Sequence, residues 1–213
     1  ALLVQGQFGQ ARSILTQSAP SLEQAGNWPE WVQAVGGLGV SLAASGRCEE
    51  ALAEGRRALA GAKEMNDLAS VAVSNINLCI IHLLSGDVSS SFEAGCVAVK
   101  AAEQSGNQLY VYLSYGFLGW AEGRLGQYAA AQERFRLARA ASQPLGHELV
   151  FSDWFAAAQA EIALKAGHAE EALQLAKQAV ATAQAAERFF SRGLAHRVWG
   201  QALAVLTPFK QTD

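Results

Sequence analysis

Residues 37–59 read GLGVSLAASGRCEEALAEGRRAL, and further on residues 117–138 read FLGWAEGRLGQYAAAQERFRLA. Both fragments start near a Leu-Gly pair, Leu38-Gly39 and Leu118-Gly119. Each continues through an apolar, Ala-rich run to a glycine, Gly46 or Gly126, and then enters a second helical run with Ala at its fifth position, Ala51 or Ala131. Working outward, the same glycine recurs as Gly6, Gly46, Gly86, Gly126 and Gly167, at spacings of 40, 40, 40 and 41. A second series, Gly26, Asn66, Gly106 and Gly146, lies half a period away and is followed at once by Asn27, Asp67, Asn107 and His147.

A helix tends to end on a residue in the left-handed conformation, which Gly adopts freely and Asn tolerates. The next helix then starts on a side chain that accepts an orphan amide proton. The first series therefore marks the turn inside each helical hairpin, with Gly46, Gly86, Gly126 and Gly167 as structural turns, and the second marks the joint between hairpins. Five residues after each turn stand the small residues Ala11, Ala51, Ser91, Ala131 and Ala172; seven before it stand Gly39, Cys79, Gly119 and Ala160. Small residues at fixed offsets are what two closely crossing helices require. Repetition with this period predicts an all-α, right-handed α-solenoid of about five helix-turn-helix repeats.

The hairpins are expected at about 27–66, 67–106, 107–146 and 147–187. Residues 1–26 form a partial repeat with a second-type helix over 8–25 and most of its partner missing. A terminal capping helix covers 189–206, sealed by Phe189 and Phe190, and the missing first helix leaves Leu2, Leu3 and Val4 uncovered. No composition break divides the chain, so residues 1–213 read as one solenoid. It opens at Ala1 in mid-pattern, which reads as a piece of a longer protein.

The fragments quoted above resemble the tetratricopeptide repeat (TPR) family, in a long 40-residue variant like that of the sensor regions of bacterial maltose-regulator-type transcription activators. The resemblance covers Ala1 to about Leu206. It implies a non-catalytic protein- or peptide-binding scaffold, the sensing or interaction region of a cytoplasmic bacterial regulatory protein, with the first helix of each hairpin lining a concave face. Two alternatives stand beside it: a small-molecule effector-binding domain with an aromatic groove, and a self-association module forming a homodimer. The family's carboxylate clamp needs basic residues ten positions before the turn. Gly36, Ile76, Gly116, Ala157 and Arg197 stand there, and only Arg197 fits. The concave face is expected instead to present Tyr110, Tyr112, Trp120 and Trp154 with Asn77, Glu161 and Arg197 as polar handles, a surface suited to a peptide, a partner helix or a small effector.

Composition narrows the function classes. Hydrophobic residues make up 51% and charged ones 16%, and the net charge is -3, so no basic footprint for nucleic acid is present. Arg134, Arg136 and Arg139 cluster, but Glu133 stands among them. Residues 68–85 are apolar yet carry Asn75, Asn77 and His82, which reads as a buried helix and not a membrane span. Cys48, Cys79 and Cys96, at spacings of 31 and 17, read as free, largely buried thiols. The four histidines have no metal-ligand spacing, and neither a phosphate loop nor a nucleophile motif occurs. No enzyme, metal or cofactor is expected.

Overall fold

The computed structural model describes residues 2–146 and 149–207. It is an all-α solenoid. The helices are α1 (Leu2–Gln5), α2 (Phe8–Gln24), α3 (Trp28–Ala43), α4 (Cys48–Glu64), α5 (Leu68–Ser85), α6 (Val88–Ser105), α7 (Gln108–Arg124), α8 (Tyr128–Ser142), α9 (Ser152–Lys165), α10 (Ala169–Ala185) and α11 (Phe189–Leu206). Helices α3/α4, α5/α6, α7/α8 and α9/α10 pair as hairpins, and the first helix of each also packs on the first helix of the next.

Local chemistry fixes the helix ends. Gly46, Gly86, Gly126 and Gly167 all turn the chain with positive φ, between 77° and 87°. The Asp67 carboxylate accepts from the Ser70 amide at 2.8 Å, Asp87 from Ser90 at 3.1 Å and Asn107 from Tyr110 at 3.2 Å. Asn27 differs: its side chain makes no capping bond, and Pro29 at the start of α3 removes one amide that would need one.

The two small registers meet as their spacing requires. A Cβ at Gly39 would lie 2.9 Å from the Ala51 carbonyl, and one at Gly119 would lie 3.2 Å from the Ala131 carbonyl. In α5/α6 the same crossing is made by Cys79 and Ser91, whose hydroxyl donates to the Cys79 carbonyl at 2.9 Å. Helix α5 is long and apolar enough to cross a membrane by length and composition, but 56% of it is buried within the solenoid.

Three features depart from the sequence-based expectation. Leu2, Leu3 and Val4 are covered rather than exposed: Val4 is buried and Leu3 reaches the main core beside Gly37. Phe189 seals nothing and is 52% exposed, whereas Phe190 packs inward. The fourth hairpin's first helix begins at Ser152 and not near 147; His147 lies outside the described residues. Residues 143–146 and 149–151 instead form a 3-10 turn at Gln143–Leu145 and an irregular link, with Phe151 in the left-handed region at φ 66°. As a result α8 and α9 barely touch, unlike the helices flanking every other joint.

Candidate binding cleft and the inner face

The first helices carry the residues expected on a concave face, and most of them are core. Trp120 and Trp154 are 1% and 0% exposed and Tyr112 is 4% exposed. Their rings join Phe117, Phe151 and Phe155 in a chain of edge-to-face contacts, with Trp120 and Trp154 at 6.4 Å and Tyr112 and Phe155 at 5.4 Å between centroids. At Trp154 this packing is completed by closure of the solenoid on itself. Phe8, from the first repeat, meets Phe190 at 5.3 Å and Trp154 at 6.5 Å, and Phe190 lies 4.3 Å from Trp154. The rings expected as a stacking platform are therefore occupied by one another.

The polar handles are likewise engaged. Glu161 is 6% exposed and accepts from Trp120 Nε1 at 3.1 Å and from Arg124 at 3.2 Å, with Arg197 at 3.3 Å. Arg124 also donates to the Leu83 carbonyl at 3.0 Å, so the cluster links α5, α7, α9 and α11. Burial pushes the Glu161 carboxyl up, but Arg124, Arg197 and Trp120 outweigh it, and the pKa ends below its ordinary value. Asn77 and Tyr110 are half-buried, Asn77 against Gly36 and Tyr110 against the α5–α6 core. No cluster of three metal-ligating side chains occurs among the described residues.

Open space lies elsewhere, where α8 and α9 stand apart. A cleft of about 490 Å³ is floored by Tyr112, Phe135 and Phe155, with Leu149 and Ala138 beside them, and rimmed by Arg139, Gln143, Gln159, Ser142 and Ser152. A recess of about 210 Å³ continues it along α10 and shares Phe135, Arg139 and Gln159. The Tyr112 hydroxyl is buried and has no hydrogen-bond partner among the described residues. Burial, with Asp153 nearby, pushes that phenol well above its ordinary pKa, so it remains a donor. Arg139 is exposed and, unlike Arg136 with its Glu133 partner at 2.6 Å, pairs with no described carboxylate. Reading the sequence for aromatic first-helix residues reached Tyr112 but missed Arg139, Phe135, Phe155 and Gln159. Two signals pointed to them: the single spacing of 41, and Pro144 just before the Gly146-His147 joint.

No protein-family model matches the chain, and no curated protein matches it. A crystal structure of BtubC (BKLC) from P. vanneervenii is similar, with a TM-score of 0.64 at 14% identity over 97% of this chain and 94% of that one. At that identity the likeness concerns the fold alone, and it is an all-α solenoid that the two chains share.

Proposed function

We propose that this chain is a non-catalytic binding module of the TPR kind, the sensing region of a cytoplasmic bacterial regulatory protein, whose effector seats in the cleft between α8 and α9. The observation that carries the reading is the cleft itself: an apolar floor, a rim of polar side chains and an orphan hydroxyl, at the joint where neighbouring described repeats part. Its volume lies within the roughly 300–1,000 Å³ of small-molecule sites, as do those of three other grooves of about 460 to 490 Å³, and its place at the parted joint sets it apart from them. A solenoid is held by nearest-neighbour interfaces, so a change at one joint reorients everything beyond it. A ligand touching both α8 and α9 favours the arrangement in which they approach, by as much as its affinities for the two arrangements differ.

The test is a fragment screen on the isotopically labelled full chain. Binding fragments should shift the amides of Ser142, Gln143, Ser152 and Gln159, and Gln159→Trp, which fills the cleft, should remove those shifts. Fragments that map elsewhere, or that still bind the tryptophan variant, count against the reading.

A protein-interaction reading has its own observation in α11. Gly200 holds the register of Gly39 and Gly119, yet nothing described lies within 4 Å of where its Cβ would be. Leu203, Val205 and Leu206 beside it are exposed. Apolar and small residues on an end helix suit a second helix, from a partner or another copy. Light scattering over a dilution series tests self-association: a mass fixed at 22.5 kDa removes the homodimer.

A further inference from the structure

The cleft can be asked what chemistry it selects, a question that rests on the reading just given. We propose that it takes a small organic monoanion: a carboxylate on an apolar body, with the carboxylate against Arg139, a ligand oxygen accepting from the Tyr112 hydroxyl, and the body on Phe135 and Phe155. Four observations converge on this.

Tyr112 is 4% exposed, lines the cleft and keeps a hydroxyl that nothing described satisfies. Buried polar groups are nearly always paired, and of the orphaned side chains among the described residues Tyr112 is the one that lines this cleft, where a ligand oxygen can accept from it. The hydroxyl is held in place, because its ring is pinned edge-on by Phe155, which is itself wedged against Phe117 and Gly116. Arg139 supplies the one guanidinium at the rim with no described carboxylate partner, and its planar fork suits a carboxylate.

Charge count separates this ligand from a phosphate. Among the described residues no second unpaired cation lines the cleft or the adjoining recess, since Arg136 is committed to Glu133. Glu171 on the recess wall further disfavours a dianion, while the Asp153 carboxylate near Tyr112 is paired with Arg188 at 3.1 Å. The floor is aromatic and aliphatic, which calls for an apolar body, while Gln143 and Gln159 add only neutral polar contacts.

The experiment titrates the full chain with matched pairs of carboxylic acids and primary amides on the same apolar bodies, phenylacetate against phenylacetamide and 4-methylpentanoate against its amide, following cleft amides by NMR. An acid should bind at least about tenfold more tightly than its amide, the range of a charge-assisted hydrogen bond. Arg139→Gln should bring acid affinity down to the amide level, and Arg139→Lys should restore part of it. Tyr112→Phe should weaken the acid several-fold and yet raise the melting temperature of the unliganded protein, because it removes an unsatisfied buried hydroxyl. A merely structural tyrosine would not give those opposite signs.

Acid and amide binding the cleft equally overturns the anion assignment and leaves the cleft reading standing. Neither acids nor amides perturbing the cleft overturns the cleft reading as well. A short peptide with Glu beside Phe that binds more tightly than every free acid replaces the small ligand with a protein segment and overturns the proposal in its small-molecule form.

Discussion

The Trp120 indole donates to a carboxylate oxygen of Glu161, 41 residues away, at 3.1 Å inside the protein. The same carboxylate holds Arg124 and Arg197, so residues that read as ligand handles act as an internal strut between successive first helices. Such a cluster resists deletion of one partner more than its net worth suggests, because the remaining charges stay behind in the core.

Glu161→Leu should therefore cost about 3–5 kcal/mol, leaving Arg124, at 17% side-chain exposure, without its counter-charge. The acid titration of stability separates this carboxylate from its neighbour Glu122. Glu161 has a folded pKa below its unfolded value, so its contribution is present above the unfolded pKa, near 4.3, and is lost as pH falls through the folded value. Glu122 is the reverse. Burial raises its pKa more than Arg134 lowers it, so its contribution is present below about pH 4 and is lost as pH rises through the folded value. Calorimetry of Glu161→Gln should show a deficit relative to wild type at pH 7 that shrinks below about pH 4. Glu122→Gln should show a gain at pH 7 that shrinks as pH falls through the raised folded value and is gone by about pH 4. Parallel curves for the two variants would contradict the assignment.

Gly116 touches the ring that floors the cleft. A Cβ there would fall on Phe155, which is buried between Tyr112 and Phe117 and borders open space only on its cleft side. Gly116→Ala should cost about 1–3 kcal/mol by overpacking and perturb the cleft amides. Gly46→Ala, at φ 77° with nothing within 4 Å, should cost about 1 kcal/mol through backbone strain and leave the cleft untouched. Denaturant unfolding gives the first comparison and NMR spectra the second; a silent Gly116→Ala would mean that Phe155 is less confined than its contacts require.

What the sequence disclosed follows from how locally each rule acts. The sign of φ at Gly46 or Gly126, the cap at Asp67 and the close crossing at Gly39 and Ala51 each depend on one or two residues. A period of 40 makes such rules visible five times over. The side that Tyr112, Trp120 and Trp154 face was not legible in this way. It depends on contacts between repeats, Tyr112 on Phe155 and Trp120 on Trp154, and for Trp154 on Phe8 and Phe190 from opposite ends of the chain, which no local pattern encodes. The cleft was hidden for a related reason: it exists where the repeat fails, and a reading built on regularity passes over its exception. Trp28 and Trp31 show the same ambiguity on one helix, since Trp31 is 5% exposed and Trp28 41%.

The cysteines differ in environment more than their composition suggested. Cys79 is fully buried, and burial pushes its thiol up to about 12; Cys96 is exposed and Cys48 half-buried. The Cys96 thiol is also raised, first by burial and then by Glu122. Iodoacetamide at mildly alkaline pH should label Cys96 in the native protein and reach Cys79 only as the α5–α6 hairpin opens. Peptide mass spectrometry over time, with and without denaturant, reads this directly. Native Cys79 labelling at the Cys96 rate would mean that α5 and α6 part readily.

Closure of the solenoid rests on few residues and is testable alone. Phe190 joins Phe8 to Trp154, and its backbone nitrogen lies 2.8 Å from where a Cβ on Gly6 would stand. Phe190 is only half-buried, so Phe190→Ala should cost about 1–2 kcal/mol and leave the hairpins α3/α4 to α9/α10 intact, because those are stabilised by their own neighbours. The loss should be local. Amide exchange in α1 and α2 should accelerate roughly tenfold, the scattering radius should rise at unchanged mass, and Trp154 should become accessible to quenchers. If closure is what denies partners the inner face, the variant should also expose Tyr112 to solvent from the inner side while the α8–α9 cleft persists. Unchanged scattering and unchanged exchange would mean that the ends are held by contacts other than this ring, with Phe8 against Trp154 the next pair to break.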